Sequence, residues 1–202
     1  MAQTFIHTLF GPGARALQEA AGSRGAYARM EEEAGPLDIL TDREIDFIVA
    51  RDSYLHGERF RRRLALCPAS RWAAGHSEAS SGKSHRLHRL SWQSQYLSTA
   101  HVAADDRVAL FLMDYPNRRR LKIIGHAHAS EEPAVITALM PPDYAALPER
   151  AFLIDVIGFD WNCPQHITPR FTEEEVRRAS LPLIDEIAAL RSRIAQLEGN
   201  SS

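Results

Sequence analysis

The clearest hydrophobic pattern in this chain runs from Asp105 to Ala129, DDRVALFLMDYPNRRRLKIIGHAHA. Val108 to Met113 is an unbroken apolar run, too short for a stable helix, and it ends in the turn cluster Asp114-Tyr115-Pro116-Asn117; a buried strand is predicted. The segment after the turn alternates. Arg119, Leu121, Ile123, Gly125 and Ala127 share one face, while Arg118, Arg120, Lys122, Ile124, His126 and His128 share the other. One face reads as core and the other as mostly cationic, giving two adjacent strands with a cationic turn between them.

Other elements follow from their punctuation. Residues 14 to 30 carry Ala, Leu, Glu and Arg in a loosely helical pattern that Gly35-Pro36 breaks. Thr41-Asp42-Arg43-Glu44 has the spacing of a capping box and opens a short helix with Ile45, Ile48 and Val49 inward, ending near Asp52. Glu131-Glu132-Pro133 reads as a turn into a short segment, Ala134 to Leu139, stopped by Met140-Pro141-Pro142. Phe152 to Phe159 is strand-like, rich in Ile, Val and Phe. Thr172-Glu173-Glu174-Glu175 repeats the capping box before a long helix, residues 172–198. In it Leu183, Ile187, Leu190, Ile194 and Leu197 form a short heptad seam. About two heptads are few for a coiled coil, so this helix is expected to pack on the barrel or a dimer mate, with an independent coiled coil as the alternative.

With 202 residues, 45% apolar and a formal net charge of −2, one domain spanning residues 1–202 is the expectation, with residues 1–40 an N-terminal extension. The N-terminus has no continuous apolar region and no window approaches membrane-spanning length, so no membrane partner is expected and residence is expected to be cytoplasmic. Cys67 and Cys163 lie too far apart to be a disulfide framework and are read as free thiols.

Ser53 to Ser94 does not match the rest. It holds eight Lys or Arg against two Glu, four of the nine histidines and no Val, Ile, Thr or Asp. Such a composition predicts an irregular, poorly packed segment. Its motifs carry little. Gly82-Lys83-Ser84 mimics the end of a phosphate loop, but Ser77 stands where the earlier glycine is required and no apolar strand precedes it. His85 and His88 near Cys67, and Cys163-Pro164-Gln165-His166 further on, lack the second ligand pair of a closed zinc site, so no metal is expected. Arg59 and Arg61 to Arg63 have no nucleic-acid recognition motif beside them, and no nucleic-acid partner is expected.

The hairpin DYPNRRRLKIIG and the later WNCPQHITPR, Trp161 to Arg170, resemble the pyridoxamine 5'-phosphate oxidase-like FMN-binding split-barrel family, and most closely its uncharacterised bacterial branch. The resemblance covers about Thr41 to Asp52 and Gln95 to Phe171. It implies a mainly β, α+β fold: an antiparallel split barrel with flanking helices and a long C-terminal helix. It implies a homodimer with FMN held non-covalently between subunits and an oxidoreductase acting on an unknown small-molecule substrate. One or two of Arg119, Arg120 and Lys122 are expected to reach the flavin or its phosphate, the alternative being a solvated cationic face on the barrel; by the resemblance Arg120 occupies a position whose side chain contacts the flavin in true oxidases, where Gln is usual. Gln95 and Ser98 correspond to the phosphate-side segment, and Trp161, Gln165 and Arg170 to the signature that approaches cofactor and substrate. No catalytic side chain is implied. The substrate-phosphate Arg-His pair of true oxidases is not reproduced, which argues against pyridoxamine phosphate as substrate. The alternatives are a non-catalytic flavin- or cofactor-binding module and a damaged copy with impaired binding.

Damage enters through the genetic code. Read one base later, the degenerate codons for His56 to Ser94 permit MASVSADGWPYVQHRGGPPG near the start and IGFTDFRGNR at the end, both similar to the family. Trp72 and Trp92 each have a single codon, and in the shifted frame each forces Gly where the family has Gly. The expectation is a pair of compensating frameshifts around residues 53–94, which removes arginines and glycines that flank FMN in the family.

Overall fold

The computed structural model describes residues 4–34, 39–51, 53–60, 64–66, 69–71, 86–91, 96–140, 148–161 and 164–199. Among them are seven strands in one antiparallel sheet: β1 (Ser53–Phe60), β2 (Leu64–Leu66), β3 (Ala69–Arg71), β4 (Arg86–Ser91), β5 (Arg107–Asp114), β6 (Arg119–Ser130) and β7 (Arg150–Trp161). The sheet runs β2-β1-β5-β6-β7-β4, and β3 pairs β1 beside β2. Seven helices flank it: α1 (Phe5–Leu9), α2 (Pro12–Ala20), α3 (Arg24–Glu33), α4 (Asp42–Val49), α5 (Leu97–Ala104), α6 (Pro133–Ala138) and α7 (Glu173–Gly199). The class is α+β with a split-barrel sheet and a long C-terminal helix.

The β5–β6 hairpin sits in the middle of the sheet, paired from Arg107↔His126 to Asp114↔Arg119. Leu110, Leu112, Leu121 and Ile123 are its fully buried centre. Asp114 closes the turn by accepting from the Asn117 backbone N–H (3.2 Å) and side-chain amide (3.0 Å), while Arg118 adopts a left-handed φ of 54°. The alternation read from sequence holds: Leu121, Ile123, Gly125 and Ala127 are buried, and Arg120, Lys122, Ile124, His126 and His128 point the other way.

The β6–β7 register slips between Ile124 and Gly125, which pair with Gly158 and Val156 and leave Ile157 as an extra residue. That bulge changes the parity of β7. Phe152, Ile154 and Val156 face the core before it; Phe159 and Trp161 pack against the core after it. An α4 opened by the Thr41–Glu44 capping box, with the Thr41 N–H on Glu44 Oε2 at 3.1 Å, covers this end. Ile48 is fully buried there, Phe47 joins it, and Ile45 and Val49 are half-buried. The N-terminal helical pattern is split at Gly22 (φ 71°), between α2 and α3.

The irregularity expected of Ser53–Ser94 fails at β1 and β4. β1 pairs with β5 from Tyr54↔Leu112 to Glu58↔Val108 and buries Tyr54, His56 and Glu58. β4 pairs with β7 over Arg86↔Asp155 to Ser91↔Arg150. Neither has a β-branched residue; the ordered β5 and β7 beside them supply the template, and context overrides propensity. The three-residue strands β2 and β3 also pair with β1 in this segment, while residues 61–63, 67–68, 72–85 and 92–94 lie outside the described residues. Among the described residues no helix is long and apolar enough to cross a membrane, and none gather as a three-ligand metal cluster.

Candidate functional site

The candidate side chains fall into three groups. Beneath α4, the bulge turns Trp161 inward, where its Nε1 donates to Glu44 Oε1 at 2.8 Å and its ring meets Phe47 edge to face at 4.7 Å. Arg119 lies 4.9 Å from the Trp161 ring and 5.0 Å from Phe47, and Arg43 stacks on the same indole at 4.6 Å. Burial pushes the Glu44 carboxyl up, yet hydrogen bonds from Thr41 and Trp161 outweigh it and hold Glu44 below the ordinary carboxylate range. A carboxylate thus anchors the indole, and two cations cover its faces.

On the outer face of β6, Lys122 pairs with Asp160 of β7 at 2.5 Å and lies 4.8 Å from the Phe5 ring, while Arg120 is half-buried over Phe111. Gln165 is exposed on the 3₁₀ turn Pro164–His166, and Arg170 lies 5.2 Å from the Tyr115 ring beside the β5–β6 turn. Gln95 lies outside the described residues. Among the described residues, Arg119 and Trp161 are a predicted pair that meets ring to guanidinium, and Arg120 and Lys122 share the outer face of β6.

The third group surrounds the start of α5. Tyr96 takes a left-handed φ of 52° there and its own side chain makes no capping bond; the first N–H groups of a helix have no partner within the helix and can meet an acceptor. Beside it stands Arg150, its side chain 8% exposed, donating from Nη1 to Thr99 Oγ1 at 2.8 Å, with its guanidinium 4.5 Å from the Tyr96 ring. Among the described residues the buried Nε of Arg150 has no hydrogen-bond partner, although Glu149 and Glu131 lie 3.4 and 3.5 Å from Nη2. Sequence reasoning missed Arg150, because nothing in its local pattern marks it and it meets Thr99 only through the fold. Thr99 also borders a cavity of about 650 Å³ that Asp106, His126, His128, Glu131 and Asp155 help to line, a volume suited to a small molecule.

Ser98 turns away from that opening and donates to Glu58 Oε1 at 3.2 Å; His101 Nδ1 donates to the same oxygen at 2.9 Å, and His56 Nε2 lies 3.4 Å from the other. Burial raises Glu58, but hydrogen bonds from His56, His101 and Ser98 overcome it and leave its pKa lowered. A folded-state pKa below the unfolded value stabilises the fold above about pH 4.3 and loses that contribution as pH falls through the lowered value. Wild type should therefore melt above Glu58→Gln at neutral pH, with the two melts converging in acid. A gap that stays constant down to the acid limit would show that Glu58 does not act through its charge.

Comparison with solved structures matches HupZ of Group A Streptococcus at a TM-score of 0.52 and 10% identity, over 66% of this chain and 100% of that one. A Clostridium acetobutylicum protein described as related to general stress protein 26, of the pyridoxinephosphate oxidase family, matches at 0.45 and 10%, over 67% and 95%. General stress protein 26 of Bacillus anthracis matches at 0.46 and 10%, over 65% and 95%. The chain has an antiparallel split-barrel fold, and it shares the fold of HupZ. Identities this low speak to the fold alone. No protein-family model and no curated protein matches the chain.

In this split barrel the fit of FMN divides by region. The α5 start suits a phosphate dianion: the first N–H groups of the helix, the Thr99 hydroxyl and a buried guanidinium with a spare donor converge there. The buried carboxylate of Glu58, bonded to both Ser98 and His101 one turn apart on α5, opposes an anion at the same end.

Proposed function

We propose that this split-barrel protein is an FMN-binding flavoprotein, and that it is an FMN-dependent oxidoreductase acting on a small molecule at a site completed by a second copy of the chain. The reading rests on the guanidinium of Arg150, buried at the start of α5 with Nε unmatched among the described residues. A buried cation beside the first N–H groups of a helix gains most from a charge-assisted bond to a dianion. Ser98 bonds to Glu58 on the core face, while Arg120 and Lys122 lie on the outer face of β6; a site completed by a second chain would let one cofactor meet both groups.

Bound FMN supplies hydride exchange at N5 of its ring. The chain's own groups would hold and tune it: Arg150 and Thr99 would take the phosphate, and Arg120 and Lys122 would put positive charge beside the ring edge that becomes anionic on reduction. No side chain serves as nucleophile in this scheme.

Fluorescence titration with FMN tests it. Arg150→Met and Arg120→Ala should each weaken binding about ten- to a hundredfold, the loss of one charge-assisted contact of roughly 1.5–3 kcal/mol. Arg118→Ala, at the exposed turn, should change it little. Equal small effects from all three would assign these arginines to a solvated surface and end the reading. Anaerobic bleaching of the bound flavin by a nicotinamide cofactor would favour the enzyme over a non-catalytic flavin carrier.

A further inference from the structure

Every residue of α7 from Leu181 to Glu198 is exposed, so the helix does not pack on its own barrel. Its seam residues are open to solvent: Leu183 61%, Ile187 49%, Leu190 56%, Ile194 54% and Leu197 55%. Steps of four, three, four and three residues put them on one stripe. Ile187 and Ile194 take the a positions of a heptad and Leu183, Leu190 and Leu197 the d positions, and β-branched residues at a with Leu at d favour a parallel pair of strands. Pro182 is at c, off the stripe, so its missing N–H removes no seam contact.

The charges beside the stripe select the partner. Glu186 and Arg193 occupy g positions, and Arg191 and Glu198 occupy e positions. In a parallel, in-register pair each g residue faces the e residue five positions on in the other helix. Glu186 then meets the partner's Arg191, and Arg193 meets the partner's Glu198; with their symmetry mates, all four contacts are of opposite sign. An antiparallel pairing on the same layers sets Arg191 against the partner's Ile184 instead.

We infer that α7 is a parallel two-stranded clasp between two copies of this chain, with Leu183 to Leu197 as its seam. The clasp is independent of the flavin reading, since it uses no residue of that site. Five layers make a short seam, so pairing through it depends on concentration.

Two full-length variants test the clasp together. Glu186→Arg with Glu198→Arg makes every e and g charge named above basic; Arg191→Glu with Arg193→Glu makes them all acidic. Each repels itself and fits the other. After mixing, native mass spectrometry should show mixed dimers rising from the statistical half to about nine-tenths of all dimers. A statistical mixture, or monomers only, overturns the clasp, and a dimer held elsewhere in the fold would give the statistical result. Leu190→Cys reads direction: oxidation should link position 190 of one copy to position 190 of the other, identified by peptide mapping. An excess of mixed dimers without that link overturns the parallel arrangement.

Discussion

Gly125→Ala is expected to lower the melting temperature by roughly 6–12 °C, the effect of about 3 kcal/mol on a domain of this size. A Cβ built on Gly125 would stand 2.5 Å from the Asp155 carbonyl oxygen and 3.1 Å from Ile154 Cγ2. The carbonyl belongs to the backbone of β7, which is hydrogen-bonded to β6 on one side and β4 on the other, so it cannot swing aside as a flexible side-chain tip would. The close approach comes from the bulge: skipping Ile157 draws the two backbones together at the position where β7 changes parity. Gly57→Ala is the internal control. Its Cβ would meet Ala109 at an ordinary 3.8 Å within a strand, and replacing a strand glycine should be neutral or stabilising by up to about 1 kcal/mol. Melts within 2 °C of each other for the two variants would show that the bulge yields and that Gly125 is not required.

The β5–β6 hairpin was legible because strict alternation and a Pro-Asn turn leave few other structures, and both capping boxes formed where their spacing put them. The reach of β7 to Trp161 was not legible. A bulge at Ile157 is invisible to a period of two, and without it Trp161 would lie on the outer face, away from Glu44 and Phe47. Phe47 was missed for a related reason: one apolar residue between Asp46 and Ile48 does not reveal which neighbour covers it. β1 was misread because its sequence, SYLHGERF, buries a histidine and a glutamate where propensity asks for β-branched residues. Its position is imposed by β5. Among the site residues, Arg119 and Trp161 were expected and do meet; Arg150 depends on a contact across 51 residues that no local motif encodes.

Restoring the shifted reading frame between Asp52 and Gln95 should raise both stability and FMN affinity, and β1 shows why. Phe60 pairs with Leu64 across antiparallel strands, so three residues join the arms, and they are Arg61, Arg62 and Arg63. The shifted frame permits alanine, aspartate and glycine at those positions, which would make a three-residue hairpin connection with glycine where a left-handed conformation is favoured. At the buried face of β1 it permits methionine in place of His56 and serine in place of Glu58. Those replacements remove a buried imidazole and a buried carboxylate from β1, the latter bonded to Ser98. It also returns the arginine and glycines of QHRGGPPG, whose backbone can approach a phosphate closely. Bound FMN at a hundred times its dissociation constant would add about 2.7 kcal/mol to the restored form, or roughly 5–11 °C. Thermal melts with and without FMN are the measurement, on the chain as it stands, the restored chain and the double variant His56→Met, Glu58→Ser. The restored chain should show the full ligand shift and the chain as it stands almost none. If the double variant recovers part of the stability without FMN, the buried pair is the cause of that part. Should the unaltered chain shift as far as the restored one, residues 53–94 are a working part of the site in their present frame, and Glu58 with its two histidines belongs to its chemistry.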